Sequence, residues 1–278
     1  MIHLLRSEWI KFRSVRSTVV VLALAGVLVV LIAVLTANHL NSDTSTIHCE
    51  QTSQSTPAPG SATTVPDPGN ACGPGFEVVV GNQTTHLTDI TLGVLFATLL
   101  FGVLGVQVIG QEYRFNTIRP TFTAAPHRYR VMAAKIIVVS AACAAIAAAM
   151  LAVCWLVGSV MLDGFVLDGT DRRVMWATVL FAALWSAAGV GIGAIVRQPI
   201  AGILIMVAES LIIEGLVGNI WKGTQKWLPF NNGIQMTVRP DQGSTTHLQS
   251  LLGGGLYFAA FCAGLVIIGA ILVNRRDA

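Results

Sequence analysis

Two carboxylates stand in otherwise apolar surroundings, Glu209 and Glu214 in the run ILIMVAESLIIEGLVG. A charge buried in a bilayer costs about 2.5 to 3.5 kcal/mol on insertion scales, so each is a candidate for ion or proton handling until a structural use is found. Five residues apart on an α-helix, they are about 140° apart around the axis and do not share a face. Glu214, beside Gly215, reads first as a wet helix end. Glu209 stands between two readings, a structural hydrogen bond to a neighbouring helix and a place on a translocation path.

Other chemistry is sparse. No G-x-x-x-x-G-K-[S/T] occurs, so the chain has no P-loop to cradle a nucleotide, and neither cysteines nor histidines fall in metal-ligand spacing. All six histidines lie outside the long apolar stretches, which leaves Ser186 inside one without a base of the kind a nucleophilic serine needs. We therefore expect no catalytic residue, no metal and no cofactor in this chain.

The elements that position these residues follow from composition. Only 11% of the 278 residues are charged, 54% are hydrophobic, and mean hydropathy is +0.69. A soluble domain carries about 25% charged residues, so the expected class is an all-α integral membrane protein, a single transmembrane domain over 1–278. Stretches near the ~20 residues that cross a hydrocarbon core lie at 18–37, 90–110, 133–161, 174–196, 200–218 and 251–273. Each must be helical, because lipid cannot satisfy a bare backbone. Six spans put both termini on one side. Twelve of the 17 basic residues then fall on that side, against Arg172, Arg173, Lys222, Lys226 and Arg239 on the other. The positive-inside bias makes that side cytoplasmic.

The connection 38–86 then lies outside, and it contains no Lys or Arg. Its Thr56-Pro57-Ala58-Pro59-Gly60 run marks it as a solvated loop. Cys49 and Cys72 both fall in it, where an oxidising compartment would let them bond. Residues 2–16 place Ile2, Leu5, Trp9 and Phe12 at helical spacing beside Arg6, Lys11, Arg13 and Arg16. That pattern predicts a short helix lying in the inner interface. Segment 111–131 (QEYRFNTIRPTFTAAPHRYRV) is longer than a helix connection needs. It reads either as a docking surface for another protein or as a basic anchor for anionic lipid. Segment 215–250 is too apolar for a free loop yet broken by Gly218, Gly223, Pro229 and Gly233, which predicts short re-entrant helices between spans five and six. Small residues at four-residue spacing, Ala183, Ala187 and Gly191 in one stretch and Gly255, Ala259 and Ala263 in another, predict close helix packing.

The opening Ser7-Glu8-Trp9-Ile10-Lys11-Phe12-Arg13-Ser14-Val15-Arg16-Ser17-Thr18 resembles the start of bacterial permease subunits of type-two ATP-binding-cassette exporters. The stretch Glu112-Tyr113-Arg114 to Thr117-Ile118-Arg119, with Pro126, Arg128 and Ala134-Lys135, is similar to a second segment of that family, except that Asn116 stands where glycine is usual and Pro120 follows Arg119. The resemblance implies a multi-pass plasma-membrane permease without its own ATPase, paired as a homo- or heterodimer. It implies a cytoplasmic ATPase partner that binds ATP and Mg, and a permease that moves a drug, peptide antibiotic or lipid out of the cell. It implies that Glu112, Tyr113, Arg114, Thr117 and Arg119 form a coupling helix in a groove of the ATPase, with the N-terminal helix beside it. Two other functions stay open on the residues alone: a sensor or immunity component binding a ligand through 38–86, and an ion-coupled carrier centred on Glu209.

Overall fold

The computed structural model describes residues 2–43, 48–51, 76–79, 85–117, 128–162, 165–239 and 250–275. Among them are six helices long and apolar enough to cross a membrane: Ser17–Asn41, Leu92–Arg114, Tyr129–Met161, Gly169–Val196, Pro199–Gly218 and Leu251–Arg275. We number these the first to sixth spans. The chain is thus an all-α protein of multi-pass membrane type. The N-terminal helix, Ile2–Ser14, precedes the first span, separated from its helix only at Val15.

The helices outrun the apolar stretches at several ends, because backbone hydrogen bonding does not stop where hydrophobicity does. The helix of the second span continues through Gln111–Arg114, and that of the third begins at Arg128. Segment 111–131 thus begins and ends in helix, over 111–114 and 128–131, with a turn at 115–117. The third helix has 34 residues, about 51 Å at 1.5 Å per residue, more than a hydrocarbon core requires. The first-span helix likewise reaches Asp43, inside the segment expected to be loop. What else is described of 38–86 is an antiparallel pair, β1 His48–Gln51 with β2 Phe76–Val79 (Cys49 opposite Val78), and β3 Thr85–His86, which pairs in parallel with β4 Phe165–Val166. Cys72 lies outside the described residues, and so does any bond it makes with Cys49.

The tightest crossing joins the second and fourth spans, and it is made by glycine. A Cβ on Gly105 would fall on the carbonyl oxygen of Ser186, and one on Gly189 on that of Gly102. Gly191 of the fourth-span stripe also packs closely, against Leu265 and Gly269 of the sixth span. Gly105→Ala is expected to force these two spans apart and to cost about 1–3 kcal/mol, the usual scale of overpacking. Thermal unfolding in detergent would show a lower midpoint. Gly264→Ala, where a Cβ meets nothing within 4 Å, should leave it in place.

Candidate functional site

Charged groups gather at the two ends of the bundle. At the end carrying the N-terminal helix, the near end, Lys135 of the third span is 3% exposed and donates to Glu8 Oε2 at 2.6 Å and to Glu112 Oε1 at 2.9 Å. Lys11 closes the ring, 3.0 Å from Glu8 Oε1 and 3.3 Å from Glu112 Oε1. Two carboxylates and two ammonium groups thus neutralise one another across three elements. Helical spacing explains the arrangement. Glu8 and Lys11 are three residues apart, on the same face as buried Phe12, so seating Phe12 in the core turns both charges inward. Gln111 adds a bond from Nε2 to Ser17 Oγ, 2.8 Å, between the second and first spans.

The second span ends in a motif that fixes the segment after it. Thr117 N–H donates to Glu112 O and Asn116 N–H to Tyr113 O, a Schellman pair. Asn116 has φ 53°, the left-handed conformation for which glycine is favoured and which asparagine tolerates better than most residues. Asn116 therefore does what a glycine would do there. The guanidinium of Arg197, in the turn between the fourth and fifth spans, lies 5.4 Å from the Tyr113 ring centroid, at cation–π distance.

Of the residues expected to couple to a partner, Glu112 and Tyr113 are held inside the protein, Arg114 is exposed with its guanidinium 5.6 Å from the Phe115 ring centroid, and Thr117 is exposed in the turn. Arg119 lies outside the described residues. Glu112, Tyr113 and Arg114 are the last turn of the second-span helix. On the N-terminal helix, Trp9, Lys11 and Arg13 are exposed and Phe12 is buried, while Arg16 begins the next helix. Sequence spacing gave no sign that Glu8 and Lys135, 127 positions apart, would meet.

Burial alone would push the Glu8 carboxyl up, but Lys135 and Lys11 outweigh it and hold it below its ordinary value. Burial would likewise lower Lys11, yet Glu8 and Glu112 hold its ammonium above the usual lysine range. A depressed carboxylate stabilises the fold above its unfolded pKa and loses that share as pH falls through the folded value; a raised lysine stabilises below its unfolded pKa and loses it as pH rises through the folded one. The shares of Glu8 and Lys11 are therefore both present between about pH 5 and pH 10. Thermal midpoints measured across pH should be flat inside that window and fall below about pH 4.

At the far end, Arg239 donates from Nη1 to Asp171 Oδ1 and from Nη2 to Asp168 Oδ2, both at 3.1 Å. Asp168 and Asp171 form a capping box at the start of the fourth span, Asp168 accepting from Asp171 N–H. The Asp171 backbone N–H and then Arg239 lower the Asp168 carboxyl to about 2. Its contribution is present above its ordinary range and is lost only as pH falls towards that value. His86 Nδ1 stands 3.5 Å from Asp171 Oδ2. His86, Asp168 and Asp171 are close enough to serve a metal ion, but Arg239 already holds both carboxylates. Sequence reading counted Arg239 only as a charge for topology.

Beside this clamp lies the connection between the fifth and sixth spans. Helix Glu214–Ile220 continues the fifth span, a 3₁₀ turn follows at Lys222–Trp227, and a short helix at Pro229–Gln235 doubles back. Phe230 of this hairpin packs with Phe181, Trp185 and Phe258, while Ile220, Trp221 and Trp227 stay exposed. Leu228 offers no side-chain cap, so the N–H groups of Phe230 and Asn231 would be orphaned. Glu214 supplies both acceptors, Oε1 to Phe230 and Oε2 to Asn231, each at 2.6 Å. It is 1% exposed, a buried cap where a wet helix end was expected.

Glu209 lies beside Glu214 of the same span, and its Oε2 is buried without a hydrogen-bond partner among the described residues. The two are brought together by a π-turn, Ala208–Ile213, in which Glu214 N–H donates to Glu209 O. A bond from i to i+5 widens the helix and stacks residues five apart, so the two glutamates share a face after all. Compared with protein-family models and with curated proteins, the chain matches none.

Proposed function

We propose that this chain is the permease subunit of an ATP-driven exporter of the type-two ATP-binding-cassette kind, moving a hydrophobic or amphipathic compound, such as a drug, peptide antibiotic or lipid, out of a bacterial cell. In this reading both termini and the near end are cytoplasmic, two permease subunits pair, and a separate ATPase chain supplies ATP, Mg and the catalytic work. The observation that carries it is mechanical. The ring of Glu8, Lys11, Glu112 and Lys135 ties the N-terminal helix to the end of the second span and the start of the third, while Tyr113 and Arg197 add the turn between the fourth and fifth spans. A push on the segment after Glu112 is thereby shared among most of the bundle, as rigid-body alternating access requires. The far-end hairpin, clamped by Glu214 and Arg239, is the re-entrant element on the outer side.

Arg114, exposed at the end of the second span, is the residue to test. Gentle extraction from native membranes should recover an ATPase with the tagged chain, and Arg114→Glu should reduce that recovery by about tenfold, the effect of about 1.4 kcal/mol at a charged interface. Retained ATPase and undiminished ATP-driven transport in this variant would refute the docking assignment. Glu112→Arg is a poor reporter, because it breaks the internal ring before it touches any partner.

A further inference from the structure

A cavity of about 570 Å³ opens between the N-terminal helix, the start of the first span and the end of the second. Its size is that of small-ligand sites, which run from about 300 to 1,000 Å³. Phe12, Val15, Val108 and Phe115 give it an apolar body, and Lys11 and Glu112 stand at its polar wall. Lys135 and Glu8 are almost fully covered, but the Lys11 side chain is 45% exposed. An ammonium has three donors; Glu8 and Glu112 take two, which leaves one for an outside anion. Trp9, Ile10 and Phe115 are 48%, 58% and 65% exposed. Large apolar groups bared beside a cation at the end of spanning helices match the depth of lipid headgroups.

We propose that this cavity is a phospholipid site, taking an acyl chain of the adjoining leaflet against Val15, Val108 and Phe115 and placing the lipid phosphate on Lys11. The lysine then bridges the internal carboxylates and the headgroup, so a bound lipid holds the N-terminal helix against the second span. The site does not depend on any ATPase, and its test involves none.

The purified chain is reconstituted in vesicles of phosphatidylglycerol and diacylglycerol, of which only the first carries a phosphate, then re-extracted in mild detergent, and retained lipid is counted by native mass spectrometry. The wild-type chain should retain phosphatidylglycerol in preference to diacylglycerol. Val108→Trp and Val15→Phe fill the cavity from different helices, and each should remove the retained lipid while the chain still elutes as a single folded species. Lys11→Gln should lower the preference for the phosphate-bearing lipid by roughly tenfold, the scale of one charge-assisted hydrogen bond. Undiminished retention in both filled variants, an unchanged preference in Lys11→Gln, or displacement of the lipid by millimolar inorganic phosphate would each overturn the proposal.

Discussion

Lys135→Met is expected to lower the stability of the protein by about 3 kcal/mol, because removing one member of a buried ion cluster strands its partners. Lys135 is the most enclosed cation of the near-end ring, and both Glu8 and Glu112 lean on it. Methionine fills similar space, so the loss is one of charge and not of volume. Lys11 remains, but its side chain is 45% exposed and it cannot neutralise two buried carboxylates. In a chain of this size the thermal midpoint should fall by about 10 °C. The same substitution made in a Glu8→Gln background should cost distinctly less, since the stranded charge is then gone; that difference is the coupling energy of the pair. The functional consequence is sharper than the thermal one. With the ring broken, the N-terminal helix should exchange its amide hydrogens faster while the fourth and sixth spans do not. Equal midpoints and equal exchange for Lys135→Met and the wild-type chain would remove the ring from the account.

The contrast between ring and spans shows what a linear reading reaches. Six apolar stretches of bilayer length were legible because each meets its requirement alone, within about 20 residues. The helix over Ile2–Ser14 was legible for the same reason, its apolar positions recurring at helical spacing. The ring was not, since Glu8, Glu112 and Lys135 acquire meaning only when three helices converge. Nor was the second-to-fourth contact. Glycines at 102, 105 and 189 follow no four-residue stripe, and what selects them is the approach of two backbones. Asn116 shows the reverse case. Its departure from glycine marked a place where the backbone was special, and the positive φ shows what the special feature is.

Glu214→Leu carries the second large expected effect. The carboxylate of Glu214 accepts from the N–H groups of Phe230 and Asn231, which a leucine cap at position 228 cannot serve. Leucine would leave two donors at a largely buried helix end, at about 1–3 kcal/mol each. The hairpin Pro229–Gln235 should then loosen from Phe181 and Phe258, and protease or thiol-labelling access at its inner face should rise. Glu214→Gln tests the cause, because a single amide oxygen can accept from one of the two donors while its NH₂ opposes the other; it should fall between wild type and leucine. Glu209→Gln separates structure from transport. It leaves Glu214 and its two bonds to Phe230 and Asn231 in place, so the hairpin should stay closed. Under the proposed function, export should then persist in Glu209→Gln if the pair only braces the hairpin, whereas loss of export with a closed hairpin would place Glu209 on the substrate path. The π-turn at Ala208–Ile213 gives that comparison its force, since it aligns two glutamates that a regular helix would have pointed apart.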